Sequence, residues 1–190
     1  MIHPWLAVLL VITAVLLITA LLWLVIPAVS GLAWVPTRVE RIRKALQLAG
    51  VQPGETLVDL GAGDGRVLFI AAREFAARAI GVEISPVHCL MAWLRARFSP
   101  VRPQISIRCM DLFRADLHDA DVVFAYMTSR QSARLRPILE QRMRPGTRVV
   151  TVSFDIDGWQ PSQFDRQNLL FLYEMPPTPG SLDTYLAQQP

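Results

Sequence analysis

Two hydrophobic patterns divide the chain. From Trp5 to Ile26 the run "WLAVLLVITAVLLITALLWLVI" is 22 residues long and apolar apart from two threonines, and no Asp, Glu, Lys or Arg occurs between Met1 and Thr37. Such a run forms a helix about 33 Å long, against about 30 Å of bilayer hydrocarbon. From Arg38 onward, charged and apolar residues mix with the short periods of a globular domain. The expected organisation is an anchor over residues 1–30, a linker and helix over 31–50, and one α/β domain over 51–190.

Within the second part, "TRVERIRKALQLAG" opens with Thr37 and, three residues on, Glu40, the spacing of a capping box. Val39, Ile42, Leu46 and Ala49 make one apolar stripe, and Gly50 is a natural stop. "TLVDL" reads as a strand, followed by a glycine-rich turn and a buried helix, "VLFIAAREFAA". "AIGVEI" is the next strand. Ser85 and Pro86 then suit the cap and first position of a helix carrying Val87, Leu90, Met91 and Leu94. "ISIRC", "DVVFAY" and "TRVVTVSF" are further strands. A helix from Ser129 to Met143 separates the last two, and Pro137 is expected to kink or split it. In the tail, "LLFLYEM" and "LDTYLAQ" flank "PPTPG" and are expected to close one edge as an antiparallel hairpin. Strands alternating with helices imply a mostly parallel sheet with right-handed crossovers. The strand count does not fit a two-halved dinucleotide fold.

Charge sets an orientation. Arg38, Arg41, Arg43 and Lys44 follow the apolar run and nothing basic precedes it. Basic residues stay on the cytoplasmic side, so a single-pass anchor would leave the domain in the cytoplasm. Trp5 and Trp23 lie near the ends of the run, as interfacial aromatics do. A cleaved signal peptide is the rival reading. It would have a basic start and a shorter run, and the small residues of "PAVSGLA" keep it open. Of the 19 basic residues only Lys44 is lysine, and the net charge is a mild +3. Basic and aromatic residues do not interleave, so no nucleic-acid partner is expected. Cys89 and Cys109 have neither a disulfide framework nor a metal spacing, and both are expected as buried free thiols. His3, His88 and His118 are scattered, and no metal site is expected.

The chemistry concentrates in "VDLGAGDGR", Val58 to Arg66. Gly61, Gly63 and Gly65 let a strand–helix turn bend tightly and approach a ligand closely, where helix amides also point. A P-loop would end in Gly-Lys-Ser/Thr, which is absent. A nicotinamide fingerprint is G-x-G-x-x-G. Here Asp64 interrupts the spacing and would repel a pyrophosphate. A cationic nucleoside without phosphate, S-adenosylmethionine, suits the acidic turn. Glu83 ends the second strand, where a carboxylate accepts from ribose hydroxyls. Asp111 follows the third strand, placed to accept from an adenine amine.

"VDLGAGDGR", "GVEIS" and "MDLF" resemble the motifs of class I, seven-β-strand, Rossmann-like methyltransferases. The apolar N-terminus, "VPT" (Val35 to Thr37), "DLGAGDGR" and the Phe154–Pro161 stretch are together similar to a family of membrane-anchored protein lysine methyltransferases. Those enzymes act on the adenine nucleotide translocator and the ATP synthase c subunit, and bacterial relatives exist. The resemblance implies a seven-stranded sheet and S-adenosylmethionine as cofactor. It implies that Asp59, Gly61, Gly63 and Gly65 line the methionine end, that Glu83 holds the ribose and Asp111 the adenine, and that Thr37 lies in a segment closing over the cofactor; Asp64 is expected beside the cofactor from the acidity of the turn itself. For a bacterial relative the anchor implies the inner membrane. The acceptor would be a membrane-associated protein lysine. By position, Tyr126 is the candidate for lining the mouth or else an amphipathic core tyrosine, Trp159 could pack there or belong to the core, and Asp155 or Asp157 could orient the amine or lie in a solvated loop. A lipid amine is the alternative acceptor, and a non-catalytic S-adenosylmethionine-binding module is the alternative class. The arginines of the Ser129 helix are a further candidate for contact with anionic head groups.

Overall fold

A computed structural model of the protein describes residues 3–30, 36–127 and 129–189. Val35, part of the "VPT" segment, and Thr128 lie outside the described residues. The apolar run forms one helix, α1 (Pro4–Ser30). Its segment Pro4–Leu22 is 19 residues long, exposed throughout, and apolar enough to cross a membrane.

Apart from an antiparallel pairing of Trp159–Gln160 with Thr178–Pro179, the domain is one seven-stranded sheet flanked by helices. Its strands are β1 (Thr56–Leu60), β2 (Arg78–Glu83), β3 (Ile105–Cys109), β4 (Val122–Tyr126), β5 (Arg148–Val152), β6 (Gln163–Asp165) and β7 (Leu170–Glu174). They lie in the order β3-β2-β1-β4-β5-β7-β6. The first five pair in parallel; β7 joins β5 antiparallel, and β6 joins β7 antiparallel. The helices are α2 (Val39–Leu48), α3 (Arg66–Glu74), α4 (Pro86–Arg97), α5 (Ser129–Arg142) and α6 (Leu182–Ala187).

Strand periodicity builds the two cores. Leu57, Val122, Phe124 and Val150 face α2 and α3, meeting Ile42, Leu46 and Leu68. Their neighbours Val58, Leu60, Val123 and Val149 face the other side, meeting Leu135, Leu139 and Trp159. Both faces being covered explains why the central strands read as continuous apolar runs rather than alternating ones. Burying one such side chain contributes about 1.5–3 kcal/mol.

Several local expectations are corrected. α2 starts at Val39 with Arg38 at its cap position and no side-chain capping bond, so Thr37 is not the cap. The Gly50 stop is present: Gly50 has φ +60, and the Val51 N–H donates to the Leu46 carbonyl. α5 passes through Pro137 as one helix. Tertiary contacts outweigh the proline there: Leu135 and Leu139 are fully buried, and Arg142 donates to the carbonyls of Phe113 and Ala115. The antiparallel hairpin exists, but β6 is the partner of β7. "LDTYLAQ" instead forms α6, because Ser181 caps it by accepting from the Thr184 N–H. Cys89 is buried as expected, but Cys109 is exposed because it ends the edge strand β3.

Candidate active site

The parallel register brings the chemistry-bearing strand ends side by side. Leu60 pairs with Val82 and with Ala125, and Glu83 pairs with Cys109. The ends of β1, β2 and β4 therefore share one edge, with the glycine turn folded over it. The turn is pinned by its backbone. The N–H groups of Gly61 and Ala62 both donate to the Val82 carbonyl, at 2.8 and 3.0 Å. Gly61, Gly63 and Gly65 have φ of +92, +53 and +78, a region that other L-residues enter only with strain.

Glu83 is the keystone of this arrangement. It is buried, and its Oε2 accepts from the Gly63 N–H at 2.8 Å while its Oε1 accepts from the Ser85 N–H at 2.8 Å. One carboxylate thus ties the glycine turn to the start of α4. Each oxygen keeps a lone pair for a further donor.

Asp59, next to last in β1, is 2% exposed. Burial, together with the nearby Glu83 and Asp64 carboxylates, holds its carboxyl well above the ordinary carboxylate range. No lysine or arginine pairs with Asp59 or Glu83 among the described residues. Two buried acids converging without a cation favour a positively charged ligand. A Cβ added at Gly61 would meet nothing within 4 Å, so the space above the turn is open. Buried acids and an open backbone cradle fit the cationic methionine end of S-adenosylmethionine.

The raised Asp59 carboxyl has a thermodynamic consequence. Its penalty on the unliganded protein is absent below the unfolded value, about pH 4, grows as pH rises from there towards the folded one, and levels off above it. Asp59→Asn is therefore expected to raise the melting temperature of the cofactor-free protein at pH 7. The gain should vanish as pH falls towards 4, and cofactor affinity should drop. Thermal melts across pH with and without cofactor check this. A loss of stability at pH 7 would show that Asp59 is structural instead.

Two arginines engage Asp64. Burial alone would push its carboxyl up, but the hydrogen bonds and charge of Arg66, aided by Arg95, hold it below its ordinary value. Arg66 grips both Asp64 oxygens at 2.9 Å, and Arg95 lies 3.5 Å away. Arg66 also donates from Nη1 to the Thr37 carbonyl at 2.9 Å. The segment before α2 is thus fastened to the glycine turn, with Thr37 buried beneath it. Arg66 ends the quoted motif, and its spacing of two from Asp64 was the available signal for this bridge.

The remaining site residues divide. Asp111 follows β3, and its Oδ1 accepts from the Phe113 N–H at 3.0 Å, which leaves Oδ2 for another donor. Tyr126 ends β4, one residue past the Ala125 that pairs with Leu60, and is half-buried. The Arg41 guanidinium lies 6.0 Å from its ring centroid. Arg41 is held there by the Asn168 carbonyl at 2.6 Å and Ser153 Oγ at 2.8 Å. Neither Arg41 nor Ser153 is marked by any sequence motif. Trp159 takes the core position: it is buried against Tyr173, and its indole N–H donates to Glu140. Asp155 and Asp157 are exposed.

Known proteins resemble the chain over most of its length. The family model for the ANTKMT methyltransferase domain matches residues 59–163, more than half of the chain. A protein-lysine N-methyltransferase from Saccharolobus islandicus is 35% identical over 136 residues, covering 71% of this chain and 84% of its own length. The adenine nucleotide translocase lysine N-methyltransferase of Mus musculus is 28% identical over 136 residues. That match covers 72% of this chain but only 59% of the mouse protein. Among solved structures, an RNA methyltransferase from Salinibacter ruber in complex with S-adenosyl-L-homocysteine superimposes with a TM-score of 0.73 at 37% identity. It covers 78% of this chain and 99% of that one.

Proposed function

The chain belongs to the ANTKMT methyltransferase-domain family, and from that premise we propose that it methylates a lysine ε-amine of a membrane-associated protein while anchored by α1. It is an S-adenosylmethionine-dependent methyltransferase. The observation that carries the site is two buried carboxyl groups near each other, Asp59 and Glu83, with no cation paired to either among the described residues, at a glycine turn whose backbone is open at Gly61.

When bound, S-adenosylmethionine supplies a methyl group already activated on a sulfonium. The chain's own residues then have positioning to do. Glu83 would accept from the ribose hydroxyls with the lone pairs that Gly63 and Ser85 leave unused. Asp111 would accept from the adenine amine through Oδ2. Asp59 would face the cationic methionine end, and Arg66 would hold the Thr37 segment as a cover. Tyr126 lies at the end of the strand beside β1, where an acceptor would enter.

An attacking lysine must be neutral, although its free pKa is about 10.4. The Arg41 guanidinium at the Tyr126 ring disfavours a second cation there and so lowers the amine's pKa. Arg41→Met is expected to move the pH–rate profile to higher pH by a few tenths of a unit or more, while cofactor affinity is retained. An unchanged profile would remove Arg41 from this role.

The acceptor class is tested by labelled methyl transfer from S-adenosylmethionine into membranes, with RNA and lipid extracts counted alongside. Label in a protein band, at methyl-lysine by mass spectrometry, is the expected result. Label in lipid or RNA would assign a different acceptor. Cofactor binding with no label anywhere would identify a non-catalytic module. The membrane arm rests on the length and composition of α1 and on the basic residues from Arg38 to Lys44 that follow it.

A further inference from the structure

α4 carries its apolar residues on the wrong side for a helix of a water-soluble domain. Its inward positions hold small or polar residues, among them Cys89, Ala92 and Ala96. Its large apolar residues point away from the sheet: Leu90, Met91, Trp93 and Leu94 are 44–56% exposed, and Phe98, just past the end, is 83% exposed. The inward choice has a packing reason. A Cβ placed on Gly65 would lie 3.2 Å from the Ala92 Cβ, so α4 abuts the glycine turn and leaves little room for bulk. The outward choice has no such reason within the domain. Large contiguous apolar patches on soluble surfaces mark contact sites.

The charge around this face has one sign. Between Glu83 and Asp111 the chain has no acidic residue and four arginines: Arg97, Arg102 and Arg108, and Arg95, whose guanidinium reaches back to Asp64. Arg97 lies against the Phe98 ring at 6.0 Å. Arg102 and Trp93 flank a cleft beside β3. Apolar side chains with a tryptophan, rimmed by arginines, have the composition of a helix lying in a lipid interface. A second copy of the chain would bring these arginines against their own kind. In α5, the other arginine-bearing helix, the described arginines are engaged within the domain: Arg136 with Glu140, Arg142 with two carbonyls, Arg134 over the Phe113 ring. The anchor is also close, since Cα atoms of α1 and α4 come within 8 Å of each other.

We infer that the outward face of α4, with Phe98, is a second membrane contact that lies on anionic phospholipid. It rests on the anchored reading of α1 and goes beyond it. α4 is capped by Ser85, whose N–H holds Glu83, so a bilayer touching α4 would fix the orientation of the cofactor crevice relative to the membrane. A protein restrained at two points presents its acceptor mouth at a set height, which selects lysines close to the head groups.

The test uses the full chain in vesicles of phosphatidylcholine and phosphatidylglycerol. A photo-crosslinking benzoylphenylalanine replaces Phe98 in one variant, Leu16 of α1 in a second and Gln188 in a third. Covalent lipid adducts are then counted by mass spectrometry. Lipid adducts at Leu16 and Phe98, several-fold above Gln188, are expected, and the Phe98 yield should fall when phosphatidylglycerol is left out. Adducts at Leu16 but not Phe98 would overturn the α4 contact and leave the anchor standing. Adducts at neither would overturn both. A chain-to-chain adduct at Phe98 would overturn the lipid assignment in favour of a second copy.

Discussion

Glu83→Ala is expected to lower the affinity for S-adenosylmethionine by about a hundredfold or more, read by titration calorimetry on protein whose fold is verified by circular dichroism. A hydrogen bond to a charged group contributes about 1.5–3 kcal/mol, so one or two lost ribose contacts account for such a drop. The substitution also removes the shared acceptor of the Gly63 and Ser85 N–H groups, both at 2.8 Å. Each donor left unpaired costs about 1–3 kcal/mol, so the melting temperature should fall as well. Glu83→Gln keeps the volume and one acceptor oxygen, and should lie between the two in both measurements. Affinity within tenfold of the parent in folded Glu83→Ala would show that Glu83 braces the turn and does not bind the nucleoside.

Two glycines separate binding from packing. At Gly61 the backbone is left-handed but an added Cβ meets open space. Gly61→Ala is expected to cost about 1 kcal/mol in stability from backbone strain, while cofactor affinity falls about tenfold or more because the methyl occupies the cradle. At Gly81, in β2, an added Cβ would lie 2.6 Å from Leu68 Cδ1 and 2.8 Å from the Ala62 Cβ. Gly81→Ala is an overpacking change costing about 1–3 kcal/mol, so stability should fail first. Melting curves and cofactor titrations on both variants check the contrast. Undiminished affinity in Gly61→Ala would mean that the cofactor does not pass over this turn.

Much of this architecture is legible without coordinates. "TLVDL" and "ISIRC" mark β1 and β3 to the residue because short runs, one mostly apolar and one alternating, each bounded by turn or loop residues, leave little choice. The acids at successive strand ends follow from the parallel register, so Asp59 and Glu83 could be placed together from sequence. What escaped was set by contacts across long separations. Asp64 reads as a free acid until Arg66 and Arg95 are seen to grip it. Thr37 reads as a cap until its carbonyl is found bonded to Arg66, 29 residues away. Arg41 reaches Tyr126 only because the Asn168 carbonyl, 127 residues on, fixes its guanidinium. Trp159 carried a polar handle that could serve a site or a core, and Glu140 claims it for the core. The unusual face of α4 was present in the letters, since Leu90, Met91 and Leu94 were visible, but periodicity assigns such residues inward by default.

The most direct measurement is a crystal structure of the protein grown with S-adenosylhomocysteine. The nucleoside should lie across the ends of β1, β2 and β3, with its ribose hydroxyls on Glu83, its adenine amine on Asp111, and its methionine end over Gly61 and beside Asp59. A ligand bound elsewhere, or a crevice closed by side chains with excess ligand present, would contradict the proposed site.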